Sequence, residues 1–557
     1  ALAVDMPTSA AAAGLWQRFV GNQPGLHMPT AVNKPVSIQG IEDVSLGVSV
    51  FGIGALLPGG VLCAADVVSM VLQRTSAQTE AVLPAWKTSY LDSHAHDFSA
   101  PGKWLSAEQW EAVTSRLPPS SALKQSNTDP QHSALLYIAT QAYAEANEVL
   151  AASGHTINKA RIGCMVGCTC HDFVASKTAA ANPHFAAGSQ SAMLAGKVSR
   201  SLGLSGPSLT VDTACSSGLV ALHTALQSIQ AGEIDGAIVA GVNLPISDAV
   251  FQSLSHMKVL SRSGISAPCS RRADGYVRAD GAVAFFIHRD TPGCDAFASL
   301  GPCLLNQCTS SSSLTAPDGA AQEKLVKATV ARAEASGIQV QHAELHGSST
   351  VMGDTIELEA LSRALRETHA SVSLTGSKVM FGHTEGAAGL VGMLCAMIEL
   401  QTSSHMPFVA NDCYISLSSA RLHESRTGLV TLNLAGDQQL EASSSRPSAS
   451  LVSSFGFSGT NACAVVFLSP SSKLLVSSSA SRAGMFNGIS ASSKQQGSNP
   501  PPSHVYVPSS AASAGVETRQ AENEDTAEVL LLSKRWQLVL SSSALSARPE
   551  VQLSTSS

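Results

Sequence analysis

The amino-acid sequence predicts an α/β fold with more than one hydrophobic core. Between Leu46 and about Leu468, short runs rich in β-branched residues alternate with segments of helical periodicity. Apolar residues make up 44% of the 557 residues and charged residues only 13%, as in a tightly packed globular protein. Because a single core stops growing at roughly 250 to 300 residues, a chain of this length is expected to contain at least two.

The strands and helices of this pattern follow in regular order. The predicted strands are Val48 to Ile53, Ile162 to Val166, Leu209 to Asp212 and Ala237 to Gly241. The apolar stretch from Val44 to Leu72 is long enough to suggest a membrane span, but Pro58-Gly59-Gly60 and Asp66 interrupt it. We therefore predict a strand, a loop and a helix there, and no transmembrane segment.

The composition changes at both ends of the α/β region. Residues 1–45 are rich in Ala and Pro without sustained periodicity, which predicts an N-terminal extension. Residues 469–557 form a Ser-rich, low-complexity C-terminal tail or linker with few large apolar side chains to offset the entropy of ordering. Within this tail, Val529 to Leu532 and Leu538 to Leu540 could each add a strand.

Charge and cysteine content exclude several classes of protein. The net charge of -7 and the lack of a Lys/Arg-rich run argue against nucleic acid as the main partner. The 12 cysteines are irregularly spaced without a secretory signal, which is typical of reduced intracellular thiols. The chain begins at Ala1, so a removed targeting peptide would be invisible and the compartment, cytoplasm or plastid, stays open.

Metal and nucleotide cofactors are not expected. Cys164, Cys168, Cys170 and His171 lie close together, but no second ligand pair with zinc-site spacing accompanies them. The sequence also lacks a Gly-rich phosphate loop of the nucleotide-binding kinds, which argues against ATP or a nicotinamide cofactor.

Cys215 is the candidate nucleophile. It lies between a predicted strand, Leu209 to Asp212, and a predicted helix, Ser216 to Gln230, which ends near Gly232. A thiol at a helix N-terminus faces unpaired backbone N–H groups and the positive end of the macrodipole. This position is expected to favour the thiolate, the nucleophilic form.

The residues around Cys215 resemble a known active-site motif. The run Asp212-Thr213-Ala214-Cys215-Ser216-Ser217-Gly218 is similar to that of β-ketoacyl synthases, in the form found in type I polyketide synthases and animal-type fatty acid synthases. Downstream, Glu344 to Thr350 with Gly353 to Glu357, and Lys378 to Gly389, resemble the family's two histidine blocks. The segment Phe455 to Ala462 resembles its glycine-rich gate.

The resemblance implies a role for each matching residue. Cys215 would carry the acyl group, while His346 and His383, as neutral imidazoles, would donate to the oxygen of the developing enolate. Lys378 would hold the histidine network. The backbone N–H groups of Cys215 and Phe457 would form the oxyanion hole. The two remaining predicted contacts are those of Ser348 and Thr350 with the phosphopantetheine arm of an acyl carrier protein.

Several residues depart from the family pattern. Ser348 and Ser349 stand where Thr and Gly are usual, Ser458 replaces a gate glycine, Asp280 replaces Glu, and Cys463 replaces the His that follows Asn-Ala. None of these changes removes a predicted catalytic group. They affect the gate and the pantetheine site, so substrate preference is left open.

The resemblance also implies an architecture and a reaction. It predicts a thiolase fold, five αβαβα layers built from two similar halves, 46–290 and 291–468, paired as a homodimer. The implied reaction is decarboxylative condensation of an acyl thioester with malonyl-acyl carrier protein, in polyketide or fatty acid biosynthesis, with no bound cofactor. Two alternatives remain open: a synthase that decarboxylates without elongating, and an inactive paralogue, like a chain-length factor, that acts as a carrier-docking or assembly partner.

Overall fold

The computed structural model describes the α/β part of the chain. It covers residues 47–77, 83–84, 87, 102–117, 128–173, 185–309, 311, 313, 315–366, 372–402, 432–434, 448–469 and 472. The predictions for residues 1–45, and for the tail beyond these positions, lie outside the described residues. The division at 290/291 falls between two strands and remains a prediction.

The strands and helices of the described residues alternate along the chain, as the sequence predicts. The strands are β1 (Val48–Leu56), β2 (Gly102–Lys103), β3 (Ile162–Cys168), β4 (Ser208–Val211), β5 (Gly236–Asn243), β6 (Arg278–Ala279), β7 (Gly281–Arg289), β8 (Ala298–Gln307), β9 (Gln339–Glu344), β10 (Val372–Thr375), β11 (Leu432–Leu434), β12 (Ser448–Phe455) and β13 (Thr460–Phe467). The helices are α1 (Ala64–Leu72), α2 (Ala107–Arg116), α3 (Pro130–Ala152), α4 (Phe185–Ser189), α5 (Ala192–Leu202), α6 (Ser217–Gln230), α7 (Asp248–His256), α8 (Gly319–Ala335), α9 (Val351–Leu365), α10 (Lys378–Phe381) and α11 (Ala388–Thr402).

The sheet repeats one topology. Its first segment has the spatial order β4-β3-β5-β7-β1 and its second β10-β9-β12-β13-β8, with β11 beyond β10. In each segment the first three strands of this order are parallel and the last two are successively antiparallel. The segments join through a short antiparallel ladder between β1 and β8. Two halves with the same strand order are therefore present.

Successive side chains along the strands of each sheet segment face two different hydrophobic cores. Along β7, Val283, Phe285 and Ile287 face a central core, whereas Ala282, Ala284 and Phe286 face an outer one. Helices α6 and α11 fill the central core and are covered by both segments, while α3 and α5 cover the first segment and α8 and α9 the second. The arrangement is helix, sheet, helix, sheet, helix, because each sheet face needs an apolar cover.

The central helices approach closely through glycine. A Cβ at Gly389 of α11 would lie 2.6 Å from Cγ of Leu219 in α6, and one at Gly218 would lie 3.0 Å from Cγ of Leu390. A larger residue at either position would push the two helices apart. Since α6 follows Cys215 and α11 follows His383, this packing brings the candidate nucleophile towards the histidines.

The predicted interruption of the apolar stretch near the N-terminus is present. β1 ends at Leu56, a turn with positive φ at Gly59 and Gly60 follows, and α1 begins at Ala64. Within the described ranges, no helix combines the length and the apolar character needed to cross a membrane.

Candidate active site

Cys215 lies on a tight turn between β4 and α6. Ala214, immediately before it, has φ +58°, a left-handed conformation that costs a non-glycine residue about 1 kcal/mol or more. Hydrogen bonds hold this turn: the N–H of Ala214 donates to Oδ1 of Asp212 at 3.0 Å, and that of Thr213 to Oγ of Ser217 at 2.9 Å. The turn places Cys215 directly before Ser216, the N-cap residue of α6.

The environment of the thiol differs from the sequence-based expectation. Desolvation raises the pKa of Cys215 to about 12, and the negative charge of Glu385 adds to the increase. Lys378 and the backbone N–H groups of Phe457 and Cys215 act in the opposite direction but do not overcome it. The expectation that the helix N-terminus favours the thiolate is therefore wrong for the resting protein, in which Cys215 is a neutral thiol.

This pKa predicts an unusual pH dependence of Cys215 alkylation. Because only the thiolate reacts, the rate with iodoacetamide is expected to rise about tenfold per pH unit from about pH 7 to pH 10. Peptide mapping identifies the Cys215 adduct, and the Cys215→Ala variant provides the background from other thiols. A plateau near pH 8.5, the value for an ordinary cysteine, would contradict the prediction.

The two histidines lie side by side. The ring centroids of His346 and His383 are 5.6 Å apart, and the rings are nearly perpendicular. Burial lowers the pKa of each imidazole well below 6.5, and the charge of Lys378 lowers both further. Both rings are therefore neutral at physiological pH. The expectation of neutral imidazoles agrees with this result, although burial causes the shift rather than a helix dipole.

The tautomer of His383 follows from one contact. Its Nδ1 accepts a hydrogen bond from the backbone N–H of Glu385 at 3.0 Å. A neutral imidazole that accepts at one nitrogen carries its proton on the other. His383 therefore presents Nε2–H as a hydrogen-bond donor.

Lys378 is buried at the start of the short helix α10. Burial lowers the pKa of its ammonium group, against the attraction of Glu344 and Glu357. Glu344 ends β9 and also fixes the turn before Lys378: its Oε1 accepts from the N–H of Ser377 at 2.7 Å, and its Oε2 from the hydroxyl of Thr375 at 2.9 Å. One carboxylate therefore links the strand leading to His346 with the turn that carries Lys378.

Two buried carboxyl groups shape the loop after His346. Glu357 accepts from the N–H groups of His346 at 2.7 Å and Gly347 at 2.8 Å. Asp354 accepts from the N–H groups of Ser349 at 3.1 Å and Cys269 at 2.7 Å. Burial raises the pKa of Glu357 to about 7 and that of Asp354 to about 6. The contacts of these acids fix the backbone on which the histidine sits.

The two predicted pantetheine contacts are neighbours in this loop. The hydroxyls of Ser348 and Thr350 are 2.8 Å apart, and Thr350 is the N-cap residue of α9. Both residues are partly exposed, whereas Ser349 between them is completely buried. Ser349 is therefore not available to a substrate arm, and only its neighbours face the solvent side.

Ser349 is strained where it replaces glycine. It has φ +60°, and its buried hydroxyl has no hydrogen-bond partner within the described residues. Ser349→Gly is expected to stabilise the protein by about 1 to 3 kcal/mol, since it removes the strain and the unsatisfied hydroxyl. Chemical denaturation measures the change. Ser336→Gly, at a helix end with φ -90°, is the control and is expected to destabilise slightly. A loss of stability in Ser349→Gly would contradict the prediction.

The gate loop between β12 and β13 lies against the nucleophile turn. A Cβ at Gly456 would be 2.3 Å from the carbonyl oxygen of Thr213, and the hydroxyl of Ser454 donates to the carbonyl of Cys215 at 2.8 Å. The N–H of Phe457 acts on the Cys215 thiol, whereas the Phe457 side chain is 42% exposed. The left-handed position of this loop is Gly459, with φ +88°, so Ser458 replaces a glycine where none is required.

Gln307 fastens the gate loop to the end of β8. Its Nε2 donates to the carbonyl of Ser458 at 2.9 Å, and its Oε1 accepts from the hydroxyl of Thr460 at 2.9 Å. Gln307→Ala is expected to slow acylation of Cys215 on the order of tenfold, because the loop then holds the Phe457 N–H less firmly; complete loss of an oxyanion donor costs about 10²-fold or more.

Intact mass against time measures this acylation rate. Gln227→Ala, an exposed amide of α6 bonded to Gln230, is the matched control and should leave the rate unchanged. Unaltered acylation in both Gln307→Ala and Thr460→Val would show that the contact is not needed.

The structure thus brings Cys215, His346, Lys378, His383 and the Phe457 N–H together. The sequence did not assign roles to the supporting residues around them, which are Glu344, Glu357, Asp354, Gln307, Arg278 and Glu385. The matched blocks contain four of these residues, Glu344, Asp354, Glu357 and Glu385. An acidic residue in such an apolar stretch is usually buried only when it has a hydrogen-bond or charge partner, so its presence could have indicated one. Nothing in the sequence near Gln307 or Arg278 indicates which residues they contact.

Comparisons with known proteins agree with this site. Two family models match the chain: the β-ketoacyl synthase N-terminal domain over residues 47–292 and the C-terminal domain over residues 298–411. A phenolphthiocerol/phthiocerol polyketide synthase from Mycobacterium tuberculosis is 30% identical over 451 residues, 76% of this chain and 20% of that protein. The non-reducing polyketide synthase mapC' of Penicillium brevicompactum is 34% identical over 62% of this chain and 16% of that protein. The chain therefore spans about a fifth or less of the length of these relatives.

Solved structures show the same fold. The ketosynthase from module 6 of the bacillaene synthase of Bacillus subtilis 168 matches with a TM-score of 0.62 and 24% identity, over 76% of this chain and 72% of that one. The oxazolomycin ketosynthase domain OzmH KS7 of Streptomyces albus JA3453 matches with a TM-score of 0.60 and 22% identity, over 76% and 74%. The predicted thiolase fold is confirmed. Because the two family models cover residues 47–411 with only residues 293–297 between them, the chain belongs to the β-ketoacyl synthase family.

Proposed function

We propose that the protein is a ketosynthase that condenses an acyl thioester with malonyl-acyl carrier protein in polyketide synthesis. The observation that carries this proposal is the grouping of a thiol, two adjacent neutral imidazoles and two backbone N–H donors in one site. Each part of a decarboxylative condensation needs one of these groups. Fatty acid synthesis would use the same chemistry, so the choice of pathway rests on the polyketide synthase relatives.

The first step transfers the acyl group to Cys215. The sulfur attacks the thioester carbonyl, the thiol proton passes to the departing carrier thiolate, and an acyl-Cys215 thioester forms. The N–H groups of Cys215 and Phe457, which both act on the thiol, are proposed to stabilise the negative charge on the carbonyl oxygen in the transition state. Because the resting thiol is neutral, it loses its proton during this step. The free-energy cost of that deprotonation is therefore part of the barrier to acyl transfer.

The second step generates the carbon nucleophile. The bond between the malonyl α-carbon and its carboxylate breaks, CO2 leaves, and the electron pair forms an enolate. His383 donates its Nε2–H to the enolate oxygen. The ring of His346, whose centroid is 5.6 Å from that of His383, helps to stabilise the negative charge on the same oxygen. The enolate carbon then attacks acyl-Cys215 and displaces the thiolate, which gives a β-ketoacyl product on the carrier.

The proposed partners are an acyl carrier protein and a second copy of the chain. We propose that the hydroxyls of Ser348 and Thr350, which are 2.8 Å apart, bind the phosphopantetheine arm, and no further cofactor is proposed. Strand β4 is an edge of the sheet with Leu209 and Val211 only partly buried. Because such an edge offers unpaired backbone groups, we propose that it lies in the homodimer interface. Sedimentation analysis of wild type and Thr210→Pro would test this assignment.

Intact mass and peptide mapping test the reaction. The protein is incubated with an acyl-carrier thioester and then with malonyl-carrier, beside the Cys215→Ala variant. An acyl adduct on Cys215 that disappears as a β-ketoacyl-carrier forms supports the proposal. An adduct that persists while CO2 is released would instead indicate a decarboxylating synthase that does not elongate.

The alternative of an inactive docking partner is not favoured. Such a paralogue has no need for a thiol at a turn, and the described site retains the thiol, both imidazoles and the lysine. Carrier binding without any adduct on Cys215 would restore that alternative.

A further inference from the structure

A buried ion pair lies beside His383. Nε of Arg278 donates to Oε1 of Glu385 at 2.6 Å, and Nη2 donates to Oε2 at 3.0 Å. The side chains are only 2% and 12% exposed, and the guanidinium also lies over the Phe251 ring at 4.4 Å. Two parallel hydrogen bonds in a water-poor setting fix the carboxylate in direction as well as in position.

Glu385 is held in a conformation that it would not adopt alone. Its φ is +41°, in the left-handed region that disfavours side chains other than glycine. In this conformation its backbone N–H reaches Nδ1 of His383. Strain of this kind persists only where the surroundings enforce it, and the bidentate contact with Arg278 is such a restraint.

The chain segment of Arg278 also holds the backbone of His383. The N–H of His383 donates to the carbonyl of Val277 at 2.7 Å, and the N–H of Ala279 donates to the carbonyl of His383 at 3.0 Å. Arg278 therefore sits between two backbone hydrogen bonds to His383, while its side chain holds the residue that caps the imidazole. The ring is fixed from its backbone and from Nδ1 at the same time.

We propose that Arg278 and Glu385 are positioning residues that keep the proton of His383 on Nε2. The ion pair holds Glu385 in its left-handed conformation, and the Glu385 N–H then occupies Nδ1, so that only Nε2 can carry the proton. The catalytic consequence rests on the proposed function, because Nε2–H is the donor assigned to the enolate. The placement of the proton does not depend on that assignment.

Charge gives the pair a second effect on the site. The carboxylate of Glu385 raises the pKa of the Cys215 thiol, and Arg278 helps to lower the pKa of His383. Loss of the Glu385 charge should therefore ease thiolate formation, whereas loss of its N–H contact should impair enolate stabilisation. The two half-reactions are expected to respond in opposite directions.

The test compares Glu385→Ala, Glu385→Gln and Arg278→Lys with the wild-type protein labelled with ¹⁵N-histidine. In wild type the His383 resonances should report Nε2–H alone. In Glu385→Ala a substantial Nδ1–H population should appear, malonyl-thioester decarboxylation should fall at least about tenfold, and the rate of Cys215 acylation should not fall. A catalytic imidazole in the wrong tautomer can lose up to about 10⁴-fold in rate, so the expected loss is well within reach. Glu385→Gln keeps an acceptor for Arg278. Its Nδ1–H population and its decarboxylation rate should therefore lie between those of wild type and Glu385→Ala.

Each result decides the proposal. His383 remaining entirely Nε2–H in the folded Glu385→Ala and Glu385→Gln variants would overturn it, and so would equal losses in both half-reactions. Should Arg278→Lys fail to fold, the two Glu385 variants carry the test. Arg363→Lys, in an exposed ion pair with Glu323, is the control and should change neither readout. If wild type neither acylates nor decarboxylates, the proposed function fails, while the tautomer measurement still decides the role of the pair.

Discussion

Replacing His383 with alanine is expected to lower decarboxylation of a malonyl thioester by about 10²-fold or more, while the acyl adduct on Cys215 still forms. The physical reason is a division of tasks within the site. In the proposed mechanism His383, whose Nδ1 accepts from the Glu385 N–H, donates its Nε2–H to the enolate oxygen, and a preorganised donor of this kind contributes about 10² to 10³ in rate. The acyl transfer step instead uses the thiol and the backbone N–H groups of Cys215 and Phe457.

The reciprocal variant separates the two half-reactions. Cys215→Ala should form no adduct and no β-ketoacyl product, yet it should retain decarboxylation because both imidazoles remain. Release of labelled CO2 measures one half-reaction, and intact mass measures the other. His223→Ala is the matched control, since this histidine bonds the carbonyl of Cys303 at 2.6 Å and has no assigned role in the chemistry. Loss of both half-reactions in His383→Ala, with the fold intact, would contradict the separation.

Asp280→Ala is expected to destabilise the protein by about 3 to 5 kcal/mol. Asp280 is completely buried; one oxygen pairs with the buried Nζ of Lys87 and the other accepts from the N–H of Leu105 at 2.9 Å. The ammonium group also lies over the Trp104 ring at 3.9 Å. Removing Asp280 takes a buried negative charge away from the buried ammonium group of Lys87, which explains the size of the expected loss.

The pH dependence of the Asp280→Ala effect provides a further check. Burial already lowers the pKa of Lys87, and the charge of Asp280 opposes that decrease. Without Asp280 the folded-state pKa falls further, while the unfolded value stays near 10.5. The variant should therefore lose stability, relative to wild type, as the pH falls below the lowered folded-state pKa that Lys87 has in the wild type.

Denaturant unfolding at several pH values measures this loss. Asp235→Ala, which removes the partner of Arg161 in a partly exposed pair, is the control and should cost no more than about 1 kcal/mol. A loss of similar size in Asp280→Ala and Asp235→Ala would show that the buried pair is not critical.

Sequence reasoning was most successful where local order determines structure. The turn at Cys215 could be predicted because a strand, a polar turn and an apolar helical stripe follow one another within a few residues. The histidines could be assigned only through their matched blocks, since 130 or more residues separate them from the thiol in the sequence. Their neutral state was expected correctly, although the cause is burial.

Features that depend on distant contacts could not be predicted. The raised pKa of Cys215 arises from desolvation in the folded protein and from the charge of Glu385, which is distant from Cys215 in sequence. Ser349 was recognised as a substitution for glycine, but its strain depends on a φ value that the sequence does not contain. The partners of Arg278 and Gln307 lie more than 100 residues away along the chain.

The repeated strand order puts two groups of the site at equivalent positions in the two halves. Strand β4 is followed by Cys215 and then α6, and its counterpart β10 is followed by Lys378 and then α11. Corresponding turns of the two halves thus carry a thiol in one half and a lysine in the other. A mutation in either half can therefore change the chemistry of a group in the other, since Glu385 raises the pKa of Cys215 and Arg278 holds the residue that contacts Nδ1 of His383.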